Sequence, residues 1–247
     1  MASKRKLRFW GVGIGLGILA ISLTFVRPYW LLAIVARQSP DVTFFIETDL
    51  PIIALTIDDA PDPDTTPSIL DVLSQHDAKA TFFLIGEQVK AREVLVERIV
   101  AEGHELGNHT MRDEPSYQLS SPELESSMAA THRILSAFDD IYWFRPGSGW
   151  YSKTILMKAH QYEYRVALGS IFPFDTHIHS VDFATQYILG NARPGAIVVL
   201  HDGGERGVRT ANTLQRVLPA LSERGYKITS LSVAIAGSRE SQARSLH

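Results

Sequence analysis

The chain has 247 residues, 45% of them hydrophobic and 21% charged, which is typical of a globular protein with one large α/β domain. Its formal net charge is −3 and no basic run occurs beyond the first residues, so no nucleic-acid partner is predicted. Because the chain has no cysteine, disulfides and thiolate metal sites are excluded, and any metal must be held by histidine and carboxylate side chains.

The first residues have the pattern of a membrane anchor. Basic residues at positions 4–8 precede residues 9–26, an uncharged run that as a helix would extend about 27 Å, close to the hydrocarbon thickness of a bilayer. This charge order predicts a single-pass protein with the remainder of the chain outside the cytoplasm. A cleavable signal peptide is the alternative, although the apolar run is long for one and the only cleavage site, near residues 33–36, is poor. We therefore predict a cytoplasmic tip, anchor and linker over residues 1–38 and a second domain over residues 39–247.

From residue 39 onward, short apolar runs alternate with stretches of helical period. This alternation predicts a parallel sheet with helical crossovers. Because the domain spans only about 200 residues, the pattern favours a distorted or incomplete (β/α) barrel over an open sheet. The predicted strands are Ile52–Ile57, Ala80–Ile85, Glu105–Asn108, Tyr142–Phe144, Arg165–Leu168, Ile197–Leu200 and Lys227–Leu231.

Three helix starts can be placed from capping residues. Thr66 and Ser121 each precede a proline, the usual order of a cap and a first helical residue, and an apolar stripe follows each of them. Thr210 is predicted to cap a third helix, which carries an apolar face over residues 214–221.

Charged or ionisable residues follow five of the predicted strands. In a parallel barrel the active groups lie at the carboxyl ends of the strands. Turn chemistry can explain any single case, but five at the same end of a barrel indicate a functional site. The residues are Asp58 and Asp59, His109 and Asp113, Arg145, Asp175, and His201 with Asp202.

A metal site can be assembled from three of these side chains. His109 and Asp113 are four residues apart, which places them on one face of a helical turn, although such polar pairs are also common on helix surfaces. Together with Asp59 they would supply two carboxylates and one imidazole, a set that leaves coordination positions open for water and substrate. The sequence therefore predicts one divalent metal ion.

In this order, the motifs resemble those of the polysaccharide deacetylase (NodB-homology) family of metal-dependent carbohydrate esterases. The resemblance covers about residues 51–232 and implies a distorted (β/α) barrel that hydrolyses N-acetyl groups of an amino-sugar polysaccharide or oligosaccharide. It is carried by Thr56–Pro61, Gly107–Asp113, Arg145–Gly149, Asp175 and Val199–Asp202.

The resemblance also implies a role for each motif residue. Asp58 would be the catalytic base, oriented by Arg145, and His201 the general acid, assisted by Asp175. Zinc would be the metal on Asp59, His109 and Asp113. An acetylated glycan would contact Trp150, Ser148, Val199 and Leu200.

This chain departs from the usual family motifs at several positions. Asp113 stands where histidine is more common, Gly147 and Ser148 replace a proline and an aromatic residue, and Thr176 replaces a tryptophan. Other functions therefore stay open: an O-acetyl esterase or small-amide hydrolase on the same scaffold, or an anchored glycan-binding protein without catalysis.

Overall fold

The computed structural model describes residues 29–245, so the predicted anchor at residues 9–26 lies outside the described residues. The chain divides into two compact units after Pro40. In the first unit, helix α1 (Tyr29–Gln38) has no buried residue. Between residues 29 and 245, no helix combines the length and the apolar character needed to cross a membrane.

The second unit is built on parallel strands, each followed in most cases by a helix. Its strands are β1 (Val42–Thr43), β2 (Ile52–Ala60), β3 (Thr81–Leu84), β4 (Glu105–Asn108), β5 (Trp143–Phe144), β6 (Arg165–Ala167), β7 (Ile197–His201) and β8 (Lys227–Thr229). Its helices are α2 (Thr66–Gln75), α3 (Gly86–Val89), α4 (Glu93–Ala101), α5 (Ser121–Leu135), α6 (Lys153–Gln161), α7 (Val181–Asn191), α8 (Gly204–Glu223) and α9 (Leu231–Ser245).

The strands form a barrel-like ring. Strands β2 to β6 lie side by side in chain order, β7 pairs with the other edge of β2, and β1 pairs with β6. An isolated parallel bridge joins Ile171, in the segment that follows β6, to Val198 in β7. Strand β8 pairs with the first residues of β2, and β7 pairs with β2 from Ala54 onward. The predicted α/β fold with a parallel sheet is confirmed.

The seven predicted strands are all present, with ends that differ by up to three residues. Strand β1 was not predicted because two residues are too short to give a periodic pattern. The predicted cap at Thr210 is wrong: α8 begins at Gly204, and the Thr210 hydroxyl donates to the His201 carbonyl at 2.6 Å. At the start of α2 the cap is Thr65 rather than Thr66.

The interior of the ring is closed by the last helix. Leu231 and Ala234 of α9 pack in one buried cluster with Phe83 and Trp143 of the sheet. The backbone N–H of Leu231 donates to the Thr81 hydroxyl, which lies at the amino end of β3. Burying a leucine side chain contributes about 1.5–3 kcal/mol, so Leu231 makes α9 part of the core.

Candidate active site

The end of β2 presents two consecutive carboxylates. Regular alternation would direct Asp58 and Asp59 to opposite faces of the strand. A bulge prevents this, since the pairing with β3 skips from Asp58 to Ala60 and Asp59 has a left-handed φ of 67°. Such a conformation costs about 1–3 kcal/mol in a residue other than glycine, and it persists only where the surroundings impose it. Asp58 and Asp59 are 3% and 4% exposed.

Arg145, which follows β5, holds the first of these carboxylates. Its Nη1 donates to Asp58 Oδ1 and, at 2.9 Å, to the Thr56 hydroxyl, while its Nε donates to the Ala167 carbonyl at 2.9 Å. The guanidinium also lies over the Phe83 ring, 4.1 Å from the centroid. Burial lowers the pKa of Arg145 from its ordinary value, and the neighbouring Asp58 carboxylate opposes that shift. Asp58 therefore has a fixed cationic partner.

His201 ends β7 and is the register partner of Asp58. Its Nδ1 lies 3.0 Å from both carboxylate oxygens of Asp175, and its backbone N–H donates to Asp175 Oδ2 at 3.0 Å. Burial alone would lower the pKa of His201, but the hydrogen bond and charge of Asp175, with Asp58 and Asp59 beyond it, raise that pKa to about 9. The imidazole is thus protonated at neutral pH, and Nε2 is the nitrogen turned away from Asp175.

His109 lies beside Asp59. Its Nδ1 is 2.7 Å from the Arg145 carbonyl and its Nε2 is 3.4 Å from Asp59 Oδ1. Burial would raise the pKa of Asp59, but His109, His201 and Arg206 outweigh it and lower that pKa to about 2. Burial would lower the pKa of His109, but the carboxylates of Asp58 and Asp59 outweigh it and raise that pKa. A histidine that donates one ring N–H to a backbone carbonyl and presents the other nitrogen to a carboxylate fits a metal site.

Asp113 does not lie with the other two predicted metal ligands. Its side chain is 64% exposed, and Arg206 stands between it and Asp59: Arg206 Nη1 is 3.1 Å from Asp59 Oδ2, and Nη2 is 4.0 Å from Asp113 Oδ2. Within residues 29–245, no group of three histidine, cysteine or acidic side chains is placed to hold a metal. Asp59 and His109 are two donors of the types that a divalent cation accepts, while Asp113 faces a guanidinium instead.

Comparisons with known proteins show the family of this chain. A family model described as polysaccharide deacetylase matches residues 46–167. The chain is 35% identical to a peptidoglycan-N-acetylglucosamine deacetylase of Bacillus cereus over 77% of this chain and 91% of that relative. The chain belongs to the polysaccharide deacetylase family. It is therefore a hydrolase of amide bonds in amino-sugar polymers, in a family that is generally metal-dependent.

Two further relatives of this deacetylase extend the comparison. A chitooligosaccharide deacetylase of Rhizobium leguminosarum bv. trifolii is 37% identical over 72% of this chain and 89% of that relative. The crystal structure of a peptidoglycan N-acetylglucosamine deacetylase superposes with a TM-score of 0.74 at 31% identity, covering 79% of this chain and 93% of that one. The barrel-like fold is thus the family's fold.

Two features of the deacetylase site were not predicted from the sequence: the structural role of Asp202 and the presence of Arg206. Asp202 is fully buried, and its carboxylate accepts hydrogen bonds from the Thr65 and Thr66 hydroxyls and from the Gly203 N–H, so it ties the end of β7 to the start of α2. Arg206 lies in a stretch with several arginines, and nothing in its spacing separates it from the others. The only sequence signal was its position just after the His201-Asp202 motif.

The predicted substrate residues divide into two groups. Trp150 is 68% exposed and Ser148 is exposed too, in the loop that follows Arg145. Val199 and Leu200 are 2% and 1% exposed, so little of their side chains reaches the surface, and their predicted contact with a substrate stays a prediction. They are buried because a strand closed between two neighbours and covered by helices buries both of its faces.

Gly147 shows why this deacetylase lacks the second proline of the third motif. Its backbone N–H donates to the Ser116 hydroxyl at 2.8 Å, and a proline has no such donor. A Cβ at this position would lie 2.1 Å from the Glu114 carbonyl oxygen. The substitution therefore allows the loop after Arg145 to pack against the loop that follows Asp113.

Proposed function

We propose that this deacetylase removes N-acetyl groups from glucosamine units of a glycan, with Asp58 as general base and His201 as general acid. The observation that carries the proposal is the presence of two separate charge pairs on neighbouring strands, Asp58 with Arg145 and His201 with Asp175. One pair presents a carboxylate and the other a protonated imidazole. Binding a glycan without hydrolysing it would not require both groups.

The chemistry of amide hydrolysis needs both groups. An acetamide is a weak electrophile, and the amine leaves only when its nitrogen is protonated. Asp58 would take a proton from water as the water oxygen bonds to the carbonyl carbon. His201 would then give the Nε2 proton to the amide nitrogen as the carbon–nitrogen bond breaks, which leaves acetate and a free amine. Arg145 and Asp175 would keep the base and the acid in place.

We propose zinc as the metal, because one imidazole with carboxylate oxygens is a donor set that zinc accepts. Asp59 and His109 would hold it, with Asp113 as a third ligand. When bound, the cation would polarise the acetyl carbonyl and acidify the attacking water. The raised pKa of His109 means that a proton competes with the metal for Nε2.

We propose N-acetylglucosamine as the sugar unit, since it is common to the peptidoglycan and chitooligosaccharide named for the relatives. The exposed Trp150 would provide an aromatic face for a sugar ring. Its place in the loop directly after Arg145 puts it close to the catalytic pair along the chain.

Acetate release by the full-length chain tests the proposal. The substrates are peptidoglycan, chitooligosaccharides and O-acetylated xylan, each with a chelator and with added Zn²⁺. We expect acetate and free amines from the N-acetylated glycans, lost with the chelator and restored by Zn²⁺. The Asp58→Asn variant, nearly identical in shape, is the matched control and should release little acetate. Acetate from xylan alone would indicate an esterase, and glycan binding without release from any substrate would indicate a non-catalytic protein.

We further propose that residues 9–26 hold the domain at a membrane, outside the cytoplasm. Support comes from the length and charge order of this segment and from α1, where several large apolar side chains are exposed. Protease added to spheroplasts should digest the domain while cytoplasmic proteins survive. A shortened, soluble mature chain would contradict the proposal and indicate a signal peptide. The exposed side chains are Tyr29, Trp30, Leu31, Ile34 and Val35.

A further inference from the structure

Arg206 bridges the two carboxylates assigned to the metal. Asp59 has one oxygen directed at His109 and the other at Arg206, 3.4 Å and 3.1 Å away. Arg206 also reaches Asp113, at 4.0 Å. The guanidinium thus supplies a positive charge to the same two acidic side chains that a divalent cation would need.

The position of Arg206 in its helix has a cost. It lies in the first turn of α8, which begins at Gly204. A positive charge there opposes the helix dipole, so the contacts with Asp59 and Asp113 offset an unfavourable site. Local packing fixes the turn itself, because a Cβ on Gly207 would lie 2.3 Å from the Thr65 hydroxyl and 2.5 Å from Asp202 Oδ1. Close approach of α8 to this surface is what directs Arg206 toward Asp59.

We infer that Arg206 is an internal counter-cation that a divalent metal must displace from Asp59 and Asp113, so that metal loading is coupled to outward movement of Arg206. The inference rests on the proposed function only in taking these two carboxylates as metal ligands. Two cations on one buried carboxylate repel each other strongly where little water screens them. Exchange is feasible because the Arg206 side chain is 33% exposed and that of Asp113 is 64% exposed, so both can move through solvent without opening the core.

The test is the Zn²⁺ dissociation constant of the full-length chain, measured by competition with a chromophoric chelator. Arg206→Gln should bind Zn²⁺ about tenfold more tightly than the native chain or better, since no internal cation has to leave. Arg216→Gln is the matched control, because Arg216 lies on the same helix and pairs with an exposed aspartate, Asp182. This control should leave the affinity unchanged. An unchanged or weaker affinity in Arg206→Gln would overturn the inference.

A second arm tests the part played by Asp113. Once Arg206 has left, Asp113 should be free to join the metal, so adding Asp113→Asn to Arg206→Gln should weaken Zn²⁺ binding. The same change in the native background gives the other side of a double-mutant cycle. If Asp113→Asn has no effect in either background, Asp113 is not a ligand and the coupling is refuted.

A third measurement needs no charge-removing variant. In the native chain, the Nε–Hε resonance of Arg206, assigned by its loss in Arg206→Lys, should shift when Zn²⁺ is added, because the guanidinium leaves Asp59. No shift at saturating Zn²⁺ would overturn the inference even if Arg206→Gln failed to fold. Acetate release is scored separately. A chain with the expected Zn²⁺ affinities but no acetate would refute the proposed function and leave the role of Arg206 standing.

Discussion

Asp59 and Asp202 are two aspartates in equivalent places whose surroundings act in opposite directions. Each is the second of two polar residues at a strand end, and they are 4% and 0% exposed. Burial raises the pKa of both carboxyls. The pKa of Asp202 stays raised, since its hydrogen-bond partners are hydroxyls and a backbone N–H. The pKa of Asp59 is instead lowered to about 2, because His109, His201 and Arg206 surround it.

This difference distinguishes carboxylates that stabilise the fold of this barrel from carboxylates that can take part in the reaction. Neutral donors that surround an anion on all sides lock it into the fold and leave it nothing to exchange. At the amino end of the sheet, Glu105 repeats this pattern, since it accepts from the Thr81 hydroxyl at 2.6 Å, Trp143 Nε1 at 3.1 Å and the Ser232 N–H at 3.2 Å. Cationic partners, by contrast, can be replaced by a metal or can transfer protons. Asp58, Asp59 and Asp175, which are buried and have cationic partners, lie at the carboxyl end.

The largest effect is expected where a carboxylate with a cationic partner takes part in the reaction. Asp58→Asn should lower turnover by about 10²–10⁴-fold, the usual scale for losing a positioned base. Zn²⁺ content, measured by elemental analysis, should stay the same because Asp58 is not among the ligands. Near-native turnover would place Asp58 among the structural carboxylates.

His201→Ala sharpens the assignment of acid and base. On an amide substrate, His201→Ala should lower turnover as much as Asp58→Asn does. On an activated ester, whose alkoxide leaves without a proton, His201→Ala should lower turnover much less. Steady-state rates on the two substrates give the ratio. Equal losses on both would indicate that His201 supports the structure rather than donating a proton.

The next effect is on stability and concerns Asp202. Asp202→Ala leaves the Thr66 hydroxyl and the Gly203 N–H without an acceptor and leaves the Thr65 hydroxyl only Asp62. The free energy of unfolding should fall by about 3 kcal/mol, at roughly 1–3 kcal/mol per buried group. Urea denaturation measures it. Asp59→Asn is the comparison variant and should change stability less while weakening Zn²⁺ binding. The reverse order of stabilities would break the distinction drawn between the two aspartates.

The pH dependence of stability should report His201. Its pKa in the folded chain is about 9 and its ordinary value is 6.5. Folding therefore favours the protonated form of His201. This form contributes about 3 kcal/mol to the free energy of unfolding; the contribution is complete below pH 6.5 and is lost as the pH rises to about 9. Denaturation of the metal-free chain between pH 6 and 10 should show this decline. Asp175→Asn should flatten it, whereas a native profile flat over this range would refute the pairing.

The smallest effect is expected at Trp150, an exposed side chain in the loop after Arg145. Trp150→Ala should raise KM for a chitooligosaccharide by about 2- to 10-fold with little change in kcat, since one stacking contact is worth roughly 0.5–1.5 kcal/mol. Tyr142→Ala is a suitable control. Tyr142 is 54% exposed but precedes β5, at the opposite end of the sheet. Equal effects of the two variants would exclude a sugar-binding role for Trp150.

The sequence was most informative where local pattern decides structure. Apolar runs were sufficient to place the strands, and polar residues after them pointed to the carboxyl ends where Asp58, Arg145 and His201 meet. It was least informative where two distant elements meet. Asp113 faces Arg206, and the position of Arg206 depends on α8 beginning at Gly204 rather than at Thr210. The burial of Val199 and Leu200 was not foreseen either, because a short motif does not show which side chains the closed ring buries.

The closure of the core by α9 determines when the domain can fold during its synthesis. Strands β2 to β7 leave the ribosome before Leu231 and Ala234, which complete the cluster around Phe83 and Trp143. At roughly 5–20 residues per second, the stretch of about 30 residues from His201 to Leu231 takes a few seconds to make. Over that interval the nascent chain has most of its strands but an uncovered apolar interior. We expect the nascent chain to depend on chaperones until residue 234 has emerged. Ribosome-bound chains that end before residue 234 should remain sensitive to protease.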